Sequence, residues 1–141
     1  MRVVMDTNVL VSAMLSPHAP PAQVLRLVLQ GDLVPLHDER ILSEYRQVLA
    51  RSTFGFDPED VGAVIEGIEW SGEAVFARPL PVELPDPDDL PFLEVAAAAS
   101  ADALVTGNLR HYRAVHGRHD VRVLPPRDLL DRLVAWYHAR T

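Results

Sequence analysis

The opening stretch, Met1 to Met14 (MRVVMDTNVLVSAM), constrains the fold more than any other part of the chain. Val3, Val4 and Met5 form a short apolar run, which reads as a buried strand. Asp6 then sits at its carboxyl end, and Asn8 reads as a cap for a helix carrying Val9, Leu10, Val11, Ala13 and Met14. In an open α/β sheet, ligands bind at the carboxyl ends of the strands. An acid placed there is costly unless a metal or a hydrogen-bond network offsets its burial.

The same alternation continues along the chain. Ala22 to Gln30 is a largely apolar helix stopped near Gly31, and Leu33 to Leu36 is a second strand, which Pro35 places at a sheet edge. His37 to Arg51 reads as a helix whose core face is Ile41, Leu42, Tyr45, Val48 and Leu49. At about 100° per residue, Glu44 falls on the border of that face, on the flank shared by Arg40, Gln47 and Arg51. Asp57 caps a helix running to Ser71, with Pro58 in its first position. Ala74 to Ala77 is a short strand candidate, and five of the 12 prolines make Arg78 to Pro91 an extended loop.

That loop leads into LPDPDDLPFLEVAAAASADALVTGN, Leu84 to Asn108. Asp88 or Asp89 caps a helix that buries Phe92, Leu93, Ala96 and Ala99, and Ala103 to Thr106 is a strand broken by Gly107 and Asn108. Leu109 to Tyr112 reads as a short helix, Val121 to Leu124 as the last strand, and Arg127 to Ala139 as a closing helix. Strands alternating with helices imply a parallel sheet covered on both faces, in a single domain spanning residues 1–141.

Composition narrows the chemistry. No apolar run approaches the roughly 20 residues that span a bilayer. With no cysteine, thiolate metal sites and disulfides are excluded, and a cytoplasmic protein is the expectation. The formal charge of −7 argues against a generic basic surface for nucleic acid, but not against a nuclease, whose metal-binding carboxylates are themselves acidic. All 13 basic residues are Arg. The absence of Lys, with Asn8 two residues after Asp6, disfavours haloacid-dehalogenase-like phosphatases and response-regulator receivers.

Asp6, Glu44, Asp89 and Asn108 each lie at an element end or at the border of a buried face. If the first and fourth strands are neighbours, all four can meet in one cleft. Three carboxylates there would raise one another's pKa values, and a divalent cation would remove the repulsion. Oxygen ligands without Cys point to Mg²⁺ or Mn²⁺. Each residue also has a plainer reading. Asp89 alone reads as a helix cap, Glu44 as the partner of Arg40 in an exposed ion pair, Asn108 as a turn residue, and Asp86 and Asp88 as solvated loop acids. His111, His116 and His119 read as a polar loop rather than a metal site, and Trp136 and Tyr137 as core or dimer contacts.

The stretches M-D-T-N-V-L-V-S-A, S-E-Y, D-P-D-D-L-P-F-L-E-V-A and A-D-A-L-V-T-G-N-L-R-H-Y, in this order, together resemble the PIN domain, and more closely its bacterial and archaeal toxin branch related to VapC. The resemblance implies a Rossmann-like, three-layer α/β/α fold around a central parallel sheet of four to five strands. It implies a metal-dependent ribonuclease, the toxin of a type II toxin–antitoxin module. Asp6, Glu44 and Asp89 match the family's three metal-binding acids, and Asn108 stands where the fourth is often Asp. A neutral amide is a weaker ligand, so the resemblance leaves open whether the site holds one metal or two. Thr106 matches a Ser or Thr near the family site. Asn8 is expected to orient Asp6, Asp86 to assist the metal, and Arg40, Arg46, Arg51 or Arg110 to bind RNA phosphates. The implied partners are RNA, a small cognate antitoxin and a second copy of the chain in a homodimer. The competing expectation is a catalytically inactive PIN fold that binds RNA or protein.

Overall fold

The computed structural model describes residues 1–115 and 117–140, so His116 lies outside the described residues. The elements follow the order read from the sequence: β1 Arg2–Met5, α1 Thr7–Leu15, α2 Pro20–Gln30, β2 Val34–His37, α3 Glu39–Leu49, α4 Pro58–Ser71, β3 Glu73–Ala74, α5 Leu90–Ala98, β4 Ala103–Val105, β5 Val123–Leu124 and α6 Pro126–Arg140. Two 3₁₀ segments, Pro87–Asp89 and Leu109–Val115, flank α5 and β4. All strand pairs are parallel, in the order β3-β2-β1-β4-β5. Helix α5 lies across β1, β2 and β4, and α6 covers β4 and β5. The architecture is the three-layer α/β/α arrangement expected from the alternating pattern.

The central strand explains its own sequence. Val3, Val4 and Met5 are at most 1% exposed, because β1 is covered on both faces and has a neighbour on each edge. Helix termini follow local chemistry. The Asp57 side chain accepts from the Glu59 backbone N–H at 2.8 Å, with Pro58 opening α4. Gly31 ends α2 at φ 87°, a left-handed cap that a side chain would strain. Helix α2 starts at Pro20 rather than Ala22, since the first helical positions need no N–H. Helix α3 starts at Glu39, capped by Asp38, and His37 ends β2 instead of opening the helix.

Pro35 does not place β2 at an edge. The strand lies inside the sheet, between β1 and β3. Val34 donates its N–H to Met1 on the β1 side, so the missing N–H of Pro35 faces β3. There the pairing starts one residue later, at Leu36 opposite Glu73. The approach is close: a Cβ on Gly72 would lie 2.3 Å from the Pro35 carbonyl oxygen. The third strand is correspondingly short and earlier than expected, Glu73–Ala74.

Candidate metal centre

Strand adjacency brings the two chemical stretches together. Met5 pairs with Val105, so Asp6 and Thr106 leave β1 and β4 side by side. The Asp6 backbone N–H donates to the Val105 carbonyl at 2.9 Å, and Asp6 becomes the N-cap position of α1. Asn8 therefore does not cap that helix. It lies in the first turn, where its carboxamide oxygen accepts from the Gly107 N–H at 2.8 Å and its nitrogen donates to the Thr106 hydroxyl at 3.2 Å.

Thr106 is fully buried, and its hydroxyl has every bonding site used. It accepts from Asn8 and from the Asn108 N–H at 3.0 Å. Both acceptor positions are then filled, and its single proton points to Asp6 Oδ2, 2.9 Å away. The Tyr112 hydroxyl donates to the same oxygen at 3.0 Å. Asp6 is thus held from behind by Oδ2. Asn8 supports it through Thr106 rather than by direct contact.

The other acids arrive from separate elements. Glu44, on α3, accepts from the Thr7 hydroxyl at the start of α1, not from Arg40. Asp89 makes no side-chain cap bond to α5; its Oδ2 pairs with His111 Nδ1 at 2.7 Å. The capping acid is Asp86, which accepts from the Asp88 N–H at 2.9 Å and opens the 3₁₀ turn. Asn108 Nδ2 lies 2.9 Å from His111 Nε2. Asp6, Asn8, Glu44, Arg51, Asp86, Asp88, Asp89, Asn108 and His111 line one cleft of about 370 Å³ at the carboxyl ends of the strands. A groove of about 410 Å³ between α3 and α4 is larger, but Leu49, Phe56, Val61 and Ile65 make it mainly apolar, without a cluster of acids.

The electrostatics of the cleft are unfavourable without a cation. Burial raises the pKa of Asp6, against the opposing hydrogen bonds from Thr106 and Tyr112. Burial also raises Glu44, and the charges of Asp6, Asp88 and Asp86 add to it. Asp89 is pushed up to about 7 by burial and by the charge of Asp6, with His111 opposing. The Tyr112 hydroxyl is driven upward too, by burial and then by Asp6, which keeps it a donor. Hard oxygen donors that resist ionising together suit a divalent cation.

The arginines divide. Arg51 lines the cleft. Arg40 bonds Asp38 and the buried carboxylate of Glu94, the latter at 2.6 Å, and does not line the cleft. Arg46 pairs with Glu69, and Arg110 is exposed outside the cleft lining. Trp136 packs partly against the core, with Tyr137 edge-on to it. His119 lies on the surface, whereas His111 belongs to the cleft and not to a polar loop. Two signals point to residues overlooked in the sequence. His111 follows Asn108 by three positions, one turn of a 3₁₀ segment. Tyr112 is 1% exposed, and a buried tyrosine needs a partner for its hydroxyl.

Residues 2–110 match the sequence model of the PIN domain family. No match is found among curated proteins. Among solved structures, VapBC2 from Rickettsia felis bound to a DNA fragment from its promoter is similar in fold, with a TM-score of 0.58 and 16% identity. That alignment covers 89% of this chain and 98% of the other. The family match runs from β1 through the turn bearing Asn108, and so takes in every acid of the cleft: the chain belongs to the PIN domain family.

Proposed function

We propose that this chain is a metal-dependent endoribonuclease that hydrolyses RNA phosphodiester bonds and serves as the toxin of a type II toxin–antitoxin module. The observation that carries the reading is the meeting of Asp6, Glu44 and Asp89 in one cleft, each with its pKa raised by burial, and Glu44 and Asp89 also by neighbouring acids. Mg²⁺ or Mn²⁺ held by these three acids would acidify a bound water and offset charge on the phosphoryl oxygens. Asp6 presents one oxygen to the cleft while Thr106 and Tyr112 occupy the other. Thr7 fixes Glu44, and His111 fixes Asp89. Arg51 lines the cleft, which supports a role for its planar guanidinium in binding an RNA phosphate. Arg40 is committed to Asp38 and Glu94 and is not assigned to RNA.

The fold shared with the Rickettsia felis VapBC2 structure supports a small antitoxin as partner. A homodimer acting in the cytoplasm belongs to the same reading. No helix among the described residues is long and apolar enough to cross a membrane. A second reading, a PIN domain that binds RNA or protein without cutting, draws on the neutral Asn108 and the net charge of −7.

Cleavage of single-stranded RNA in Mn²⁺, compared with EDTA, separates the two. The wild type cuts only with metal, and Asp6→Asn abolishes cutting while the metal-free melting temperature stays level or rises. Full activity in that variant would refute the assignment of Asp6. Intact RNA with tight binding would favour the non-cutting module.

A further inference from the structure

Among the described residues, Asp86, Asp89 and His111 form a group whose ligand atoms all lie within 4.8 Å of one another. All three residues line the acid cleft, and the group contains an imidazole. We propose that Asp86, Asp89 and His111 form a second cation position, selective for a first-row transition-metal dication over Mg²⁺. The inference rests on reading this cleft as a metal centre, but not on RNA cleavage.

Geometry supports a shared ion. Two donors at about 2.1 Å from one ion lie about 3.0 Å apart when adjacent in an octahedron, and about 3.4 Å apart in a tetrahedron. Asp89 Oδ2 and His111 Nδ1, 2.7 Å apart across a hydrogen bond, need separate by only about 0.3 Å to reach the octahedral spacing once an ion replaces the proton between them. Asp86 uses Oδ1 to cap the 3₁₀ turn, which fixes the carboxylate and leaves Oδ2 for an ion. The imidazole sets the selectivity. Mg²⁺ prefers oxygen donors, whereas nitrogen favours the later transition metals.

Asn108 acquires a role in the same arrangement. A metal-bound imidazole commonly donates its other N–H to an oxygen acceptor. Asn108 Nδ2 faces His111 Nε2 at 2.9 Å, so without metal the amide donates to that nitrogen. With metal on Nδ1, a flipped amide would accept from the Nε2–H. An amide can do both, whereas an ionised aspartate can only accept.

The test is calorimetric titration of tag-free protein with Co²⁺ and with Mg²⁺, paired with pulsed electron paramagnetic resonance of the Mn²⁺-loaded protein. The wild type is expected to bind Co²⁺ at least tenfold more tightly than Mg²⁺ and to show a nitrogen coordinated to Mn²⁺. His111→Gln, which keeps a side-chain amide for Asp89, should weaken Co²⁺ at least tenfold and lose the nitrogen signal. Its Mg²⁺ affinity should change less than threefold. Asp86→Asn should weaken Co²⁺ with the nitrogen signal reduced. Absence of the signal in the wild type, or equal losses for both metals in His111→Gln, would overturn the proposal and leave His111 as a positioning residue for Asp89. Failure of the nuclease reading shows separately, as uncut RNA in a protein that still binds Mn²⁺.

Discussion

Replacing Asp89 with Asn should stabilise the metal-free protein at pH 8 and destabilise it, relative to wild type, once metal is present. The Asp89 carboxyl has an ordinary value of 3.8 and lies near 7 in the fold, chiefly through burial and then the charge of Asp6. Between those values the folded chain keeps a proton that the unfolded chain has released. The stability associated with that proton is fully present below 3.8 and is lost as pH rises through 7. At about 1.4 kcal/mol per pKa unit, the loss has a ceiling of about 4 kcal/mol. The residue is only 6% exposed, yet it borders an open cleft where water and salt screen its charge, and halving the ceiling gives about 2 kcal/mol. Asn resembles the protonated acid and can still accept from His111. For a domain of this size the melting temperature in EDTA at pH 8 should rise by roughly 6–8 °C. The difference should shrink towards zero at pH 4. Mn²⁺ at about 100 times its Kd should add about 2.7 kcal/mol to the wild type alone, reversing the order. Thermal denaturation from pH 4 to 8, with and without Mn²⁺, measures all of this. A variant less stable than wild type in EDTA at pH 8 would refute the argument that the acids repel one another.

Two further substitutions probe the supports of the site. Tyr112→Phe leaves Thr106 as the only side-chain donor to Asp6 Oδ2 among the described residues. It should cost about 1–2 kcal/mol of stability and about tenfold in Mn²⁺ affinity, by denaturant unfolding and calorimetry; unchanged affinity would remove Tyr112 from the support of Asp6. Arg40→Ala leaves Glu94, 4% exposed, without its cation. It should destabilise the fold by about 3 kcal/mol, with Mn²⁺ affinity unchanged. Weakened RNA binding at full stability would return Arg40 to the RNA surface.

Much of the fold was legible because its cues are local. The buried run before Asp6, the Asp57-Pro58 start of α4 and the alternation of strands with helices need only neighbouring residues to be read. The misreadings share the opposite cause. Asn8 has the chemistry of a cap, but its partners Thr106 and Gly107 lie 98 and 99 positions away. Arg40 has Glu44 one helical turn away, yet its guanidinium bonds Glu94 on α5, 54 positions on, and Asp38. His111 looked like part of a polar loop until the turn before α5 brought Asp89 against it. Pro35 was assigned to an edge by a sound rule, and the sheet satisfies that rule locally by starting β3 one residue late. The acids themselves could be picked out by position, whereas the hydrogen bonds that orient them depend on β1 lying beside β4.

The grip on Asp6 also sets an order of events in time. Its Oδ2 partners are Thr106 and Tyr112, 100 and 106 residues downstream. A chain growing from its first residue has made Asp6, Glu44 and Asp89 before β4, which flanks β1 on one side, and before the two hydroxyls behind Asp6. A fragment ending before Ala103 carries all three acids and lacks the means to orient the first of them. The side-chain grip on Asp6 is complete only once synthesis has passed Tyr112.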